Sequence, residues 1–126
     1  MIYYNLMKDL LLIFIGGGFG SVLRFFIGKE LNTTFPYGTL FVNVLGAFII
    51  GIVLALFQKE LLSNTSRLLL AVGFCGGFTT WSSFAFEKFH MLREGHITHF
   101  ILYIGLSIIL SLIALLISYR IIKFFI

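Results

Sequence analysis

Charge is scarce in this chain. Asp, Glu, Lys and Arg make up 11% of the 126 residues, while 60% are hydrophobic and the mean hydropathy is +1.08. Soluble domains carry roughly a quarter charged residues. A water-soluble fold is therefore excluded, and one integral membrane domain spanning 1–126 is expected. Cysteine is also nearly absent. Cys75 stands alone, which excludes an intramolecular disulfide and any multi-cysteine metal site. The histidines His90, His96 and His99 fall in one loop, outside the H-E-x-x-H pattern of a metal-binding helix, and read as solvated. No acidic residue interrupts the middle of an apolar stretch: Asp9, Glu30, Glu60, Glu87 and Glu94 all lie at or near the ends. Proton-coupled pumps place such a group at depth, so proton-coupled cation export is disfavoured.

What is present is apolar sequence in four runs, 10–28, 38–57, 68–88 and 98–120, each near the ~20 residues that a bilayer crossing needs. Lys8 before the first run mimics a signal peptide. The run continues past Gly16-Gly17-Gly18 to Arg24 with no small-x-small cleavage site, so a retained first helix is expected. The fold class is thus an all-α membrane protein with four transmembrane helices. With four spans, Lys8, Lys59, Arg67, Arg120 and Lys123 share one side, and Arg24, Lys29, Lys88 and Arg93 the other. Five against four is almost no bias under the positive-inside rule. Such a chain can insert both ways, and two opposite copies can pair as an antiparallel, dual-topology dimer. The expected surroundings are the lipid bilayer and a second copy, with no nucleic acid.

The third run holds the most informative segment, Gly73-Phe74-Cys75-Gly76-Gly77-Phe78-Thr79-Thr80-Trp81-Ser82-Ser83-Phe84. Paired glycines weaken a helix interior. In lipid, loosened backbone survives only where protein buries it or where it lines a wet cavity. Half-helices meeting at a mid-membrane break are a recurring way to bind ions, so helix 3 is expected to break near the membrane centre beside an ion or solute site. Close helix packing through small residues is the alternative. Trp81 and Phe84, three apart, share a helical face, which Phe78 extends. Aromatic rings have positive edges, which can touch an anion in a narrow path.

Other polar groups sit at depth. Asn43 lies about one turn into the second run, either as glue between helices or as a donor lining a path. Thr39 is placed to cap that helix after Pro36. Tyr103, Ser107 and Ser111 are spaced four and four, giving one hydroxyl stripe, unless the serines bond back to their own helix. Arg24 either snorkels to the interface or supplies a cation at a pore mouth. Gly16 and Gly20 have small-xxx-small spacing suited to close packing. Neutral donors and ring edges favour a path for an anion or a small neutral solute.

These residues resemble the small bacterial fluoride channels called Fluc or CrcB. The matches are Gly17-Gly18-Phe19-Gly20-Ser21 through Arg24, Gly38-Thr39-Leu40-Phe41-Val42-Asn43, and Gly73-Phe74-Cys75-Gly76-Gly77-Phe78-Thr79-Thr80. Their order and spacing cover essentially the whole chain. The resemblance implies a passive fluoride-selective channel in the bacterial inner (plasma) membrane. It implies a dual-topology homodimer with two pores at the subunit interface. It puts Asn43, Trp81, Phe84, Thr80, Ser82, Tyr103, Ser107 and Ser111 on the fluoride path and Arg24 at the vestibule. It also implies a structural sodium ion (Na+) on the dimer axis, held by the backbone carbonyls of Gly76 and Thr79.

Two positions depart from the family pattern Thr-Thr-Phe-Ser-Thr-Phe-Ser. Trp81 replaces the first phenylalanine and Ala85 the last serine. Some relatives work only as paired, non-identical subunits, and Trp81 is compatible with such a half-partner. A small dual-topology drug transporter would want a membrane-embedded Glu in the first helix, which is missing. An intramembrane hydrolase would need Ser82 or Cys75 beside His90, but eight residues separate Ser82 from His90, about 12 Å along a helix.

Overall fold

The computed structural model of the chain describes residues 2–126. Four of its helical stretches are long and apolar enough to cross a membrane, Asn5–Leu31, Tyr37–Gln58, Asn64–Arg93 and Ile97–Phe125. The expected runs are all present and each is longer than its hydropathy suggests. Helix α1 (Ile2–Leu31) has 30 residues, about 45 Å at helical rise and more than the hydrocarbon thickness. Its end turns carry Lys8, Asp9, Lys29 and Glu30, so polar sequence continues the helix beyond the apolar run. Among the described residues the ordered elements are helices, apart from an isolated bridge between Asn32 and Pro36.

Helix α2 (Tyr37–Gln58) starts after Pro36, whose fixed φ and missing N–H break continuity with α1. Thr39 does not cap this helix. The Asn32 side chain does so from the preceding loop, its Oδ1 accepting from Thr39 N–H at 3.1 Å. The Thr39 hydroxyl turns to another helix, as described below.

The third span is segmented. Helix α3 (Asn64–Arg67) is capped by Ser63, whose Oγ accepts from Ser66 N–H at 3.1 Å. Residues Leu68–Cys75 then widen into a π-helix, a winding that the sequence did not announce. Helix α4 (Gly76–Phe78) follows, and Thr79 and Thr80 adopt extended conformations (ψ 158° and 122°) before α5 (Trp81–Arg93). Helix 3 is thus broken at Thr79–Thr80, inside the expected segment. A turn through Gly95, at φ 75°, leads into α6 (Ile97–Phe125).

Helix α1 packs on the third span and α2 on α6. The α1 seam is backbone against backbone. A Cβ at Gly16 or Gly20 would run into the Leu69 or Phe74 carbonyl, and one at Gly77 would strike the Gly17 carbonyl. The glycines of the third span therefore serve close approach to α1, through the small-residue contacts common between membrane helices. The core is small, with Val42, Cys75, Phe78 and Tyr103 fully enclosed. Phe14, Phe19, Ile109 and Leu116 face outward, as suits side chains solvated by acyl tails.

Candidate functional site

The break in the third span is held by a side chain from α2. Thr80 N–H donates to Asn43 Oδ1 at 2.8 Å, and Asn43 Nδ2 donates to Thr80 O at 3.2 Å. An amide side chain thus replaces the hydrogen bonds that a continuous helix would give this residue. The Thr80 hydroxyl caps α5, accepting from Ser83 N–H at 3.1 Å. Because Thr80 N–H is diverted to Asn43, the Gly76 carbonyl loses its ordinary i+4 donor. Gly76 is exposed, and a Cβ there would meet nothing within 4 Å. Thr79 Oγ1 donates back to the Cys75 carbonyl at 2.8 Å.

Beside the break lies a cavity of about 440 Å³. Asn43, Thr79, Thr80, Trp81, Phe84, Ser107 and Ser111 line it together with apolar groups of α2 and α6. Six of the expected path residues, Asn43, Thr80, Trp81, Phe84, Ser107 and Ser111, therefore converge on one space. Phe84 is buried and Trp81 is 74% exposed, their ring centroids 5.3 Å apart. The two buried serines of α6 behave differently. Ser118 bonds back to the Leu115 carbonyl at 3.0 Å. Ser107 Oγ is buried with no hydrogen-bond partner among the described residues. Its hydroxyl is a free donor in a largely apolar wall, a costly arrangement unless something occupies the space.

A second cavity, about 340 Å³, lies on the other side of Thr80. It is lined by Arg24, Lys29, Asn32, Thr39, Thr80 and Ser83, among others, with no carboxylate. Arg24 is half-buried, and its Nε donates to the Gly77 carbonyl at 2.9 Å. Ser21 Oγ donates to the same carbonyl at 3.3 Å. The guanidinium is thereby anchored to the backbone just before the break, while Thr80 forms a wall common to both spaces.

Two expected path residues lie outside the larger cavity's lining. Ser82 is exposed, its Oγ 3.2 Å from Thr80 Oγ1. Tyr103 is fully buried. Its ring meets Phe84 edge-on at 4.9 Å, and its hydroxyl donates to Glu87 Oε2 at 2.6 Å.

Glu87 is the functional group that sequence reasoning left at a helix end. Its Oε1 also accepts from the Thr39 hydroxyl at 2.6 Å and from Asn32 Nδ2 at 3.4 Å, so one carboxylate ties α2, α5 and α6 together. The signal for it was available. Glu87 and Tyr103 lie eight residues either side of Gly95, the turn of the helical hairpin, and so come to equal depth on facing helices.

Residues 11–119 match the family described as CrcB-like protein, Camphor Resistance (CrcB). The "Fluoride-specific ion channel FluC" of Phocaeicola vulgatus is 43% identical over 116 residues, covering 89% of this chain and 96% of that protein. The protein of the same name from Leptospira interrogans is 46% identical over 110 residues, covering 83% and 87%. Its namesake from Thermus thermophilus is 42% identical over 118 residues, covering 90% and 94%. With a family match over most of its length and this degree of identity, the chain is a multi-pass bacterial membrane protein that belongs to the CrcB family.

Proposed function

We propose that the chain forms a passive, fluoride-selective channel that lets cytoplasmic fluoride leave the cell. The observation that carries this reading is the unpartnered Ser107 hydroxyl, buried in the wall shared with Asn43 and the Trp81–Phe84 pair. Fluoride is small and tightly hydrated, so a narrow path must replace its water with donors. Ser107, Ser111, the second N–H of Asn43 and the ring edges offer such donors without a fixed charge that would trap the ion. The second cavity supplies the entrance: Arg24 and Lys29, with no carboxylate, raise the local concentration of anions. Thr80 stands between the two. An inside-negative membrane potential favours anion exit by about 2.3 kcal/mol per 100 mV, so no energy coupling is needed.

The working unit in this proposal is an antiparallel dimer of two copies, with a pore on each side. Its support is the near-equal split of positive charge and the exposure of Trp81, a path residue that a single chain leaves uncovered. A structural sodium ion belongs to this assembly. The carbonyl of the exposed Gly76, deprived of its helical donor, and the neighbouring Thr79 carbonyl suit a monovalent cation bound by neutral oxygens. A paired, non-identical partner subunit is the alternative assembly, which the Trp81 departure would favour.

The test is fluoride efflux from liposomes holding the purified chain alone, followed with a fluoride electrode. Fluoride release under an inside-negative potential is expected, with chloride retained. A well-folded protein that releases no fluoride would overturn the homodimer reading. Recovery of flux on adding a related second chain would then establish the paired assembly.

A further inference from the structure

The two aromatic rings of the larger cavity carry a cation on their faces. Lys88 Nζ lies 4.0 Å from the centroid of Phe84 and 4.8 Å from that of Trp81. Both are well inside the ~6 Å range of a cation–π contact. The direction of this side chain follows the N-terminal lean of helical residues instead of the snorkelling open to a lysine near a span end. Lys88 is five residues from the end of the span at Arg93, and a lysine so placed can run its stem outward to bring the ammonium to water. Here it runs the other way, back over the two preceding turns toward the break, and stays half-buried. No carboxylate draws it there. The ion pairs among the described residues are both made by histidines to Glu94, and the adjacent Glu87 is committed to hydroxyls of α2 and α6.

We propose that the Lys88 ammonium is the charge that makes the Trp81–Phe84 pair an anion-binding wall and that it sets how tightly the channel holds its ion. Lys88 does not line the cavity, whereas the two rings do. It is a positioning residue that acts through them. A cation on the face of a ring withdraws π density and leaves the edges more positive. It also places a net positive charge near the path at low dielectric, where its influence reaches several ångströms. Keeping the ammonium behind the rings prevents a contact ion pair, which would bind the anion too firmly to pass on. Trp81 acquires a reason in the same geometry: indole offers a cation the best face of the aromatic side chains. This assignment rests on the channel reading above.

The test uses the whole protein in liposomes and compares the fluoride concentration dependence of efflux. Lys88→Met keeps the apolar stem and removes the charge. The half-saturating fluoride concentration should rise roughly tenfold. Lys88→Arg should stay within about threefold of the parent, because guanidinium stacks on the same faces. In Lys88→Cys, reaction with 2-aminoethyl methanethiosulfonate restores a positive charge after folding and should restore the lost affinity. The 2-sulfonatoethyl reagent adds a negative charge and should depress flux further. The parent protein, whose Cys75 is fully buried, is the control for both reagents. The assignment is overturned if Lys88→Met saturates like the parent, or if the two reagents act alike on Lys88→Cys, which would mean bulk and not charge. A parent protein that passes no fluoride either alone or with a related second chain would instead remove the channel reading, and this assignment with it.

Discussion

Replacing Asn43 by alanine exposes two backbone groups at once. The side chain satisfies both the N–H and the carbonyl of Thr80, which is 8% exposed and lies where the helix has no bonds of its own to offer. A hydrogen bond between membrane helices contributes on average about 0.6 kcal/mol, because its groups usually find other partners when separated. The Thr80 groups cannot, since the extended conformation at the break removes their helical partners. The larger penalty for an orphaned buried group applies, about 1–3 kcal/mol each, so about 2–6 kcal/mol for the pair. Asn43→Ala should therefore lose flux and stability together. Asn43→Asp separates the two effects. It keeps the acceptor for Thr80 N–H, at about half the structural loss, and replaces the Asn43 N–H donor of the cavity wall with an acceptor, so flux should vanish. Thermal denaturation in detergent gives the stability; Trp81, the only tryptophan and next to Thr80, reports it by fluorescence. Liposome efflux gives the flux. An alanine variant that melts with the parent would refute the clamp, and an aspartate variant that conducts normally would refute the donor role.

Glu87→Gln leaves one good acceptor for two donating hydroxyls, Thr39 and Tyr103, and should cost about 1.5–3 kcal/mol of stability in a denaturation series; Tyr103→Phe in the same background should then add little, and strict additivity of the two losses would contradict the network. Gly77→Ala should prevent stable assembly by driving a methyl into the Gly17 carbonyl, whereas Gly18→Ala, where a Cβ meets nothing within 4 Å, should be tolerated; equal expression and melting of both variants would count against the backbone seam. Sodium should stabilise the purified protein relative to N-methylglucamine at equal ionic strength, by about 2.7 kcal/mol at a hundredfold excess over its dissociation constant, and so raise its melting temperature; no cation dependence would argue against the carbonyl site at Gly76 and Thr79. A reporter fused after Ile126 should be found on both sides of the membrane, and a single orientation would contradict the antiparallel dimer.

The four spans were legible because a bilayer crossing needs only length and apolarity, and both are properties of the chain alone. The break was legible for a related reason: a run of glycines and hydroxyls in a span is expensive unless something uses it. What stayed hidden was how each helix is rotated. In a soluble helix the polar face marks the outside. In a membrane both surroundings are apolar, and beyond the Gly16/Gly20 spacing of α1 and the hydroxyl stripe of α6 the sequence does not say which side meets lipid. The glycines of the third span fit both a break and close packing in the sequence; Gly73 and Gly77 lie against α1, and the break falls after them at Thr79–Thr80. The π-winding of Leu68–Cys75 went unannounced, since a change of helical pitch leaves no mark on composition.

The polar groups missed or half-read share one property: each is satisfied by a residue far away in sequence. Asn43 and Thr80 are 37 positions apart, and Thr39 and Glu87 are 48 apart. Each residue alone presents the same choice between glue and path, and only its partner decides. The decision can also be both. Asn43 spends one N–H and its oxygen on Thr80, which leaves one N–H for the cavity. Tyr103 spends its hydroxyl on Glu87 and meets the ring of Phe84 from the edge. Ser107 spends nothing. In a membrane interior, where an unmatched polar group is costly, the donor that the fold leaves unused is the more informative one. It is the group to which the proposed channel would assign an external partner, and its residue lines the same cavity as the ring pair beneath Lys88.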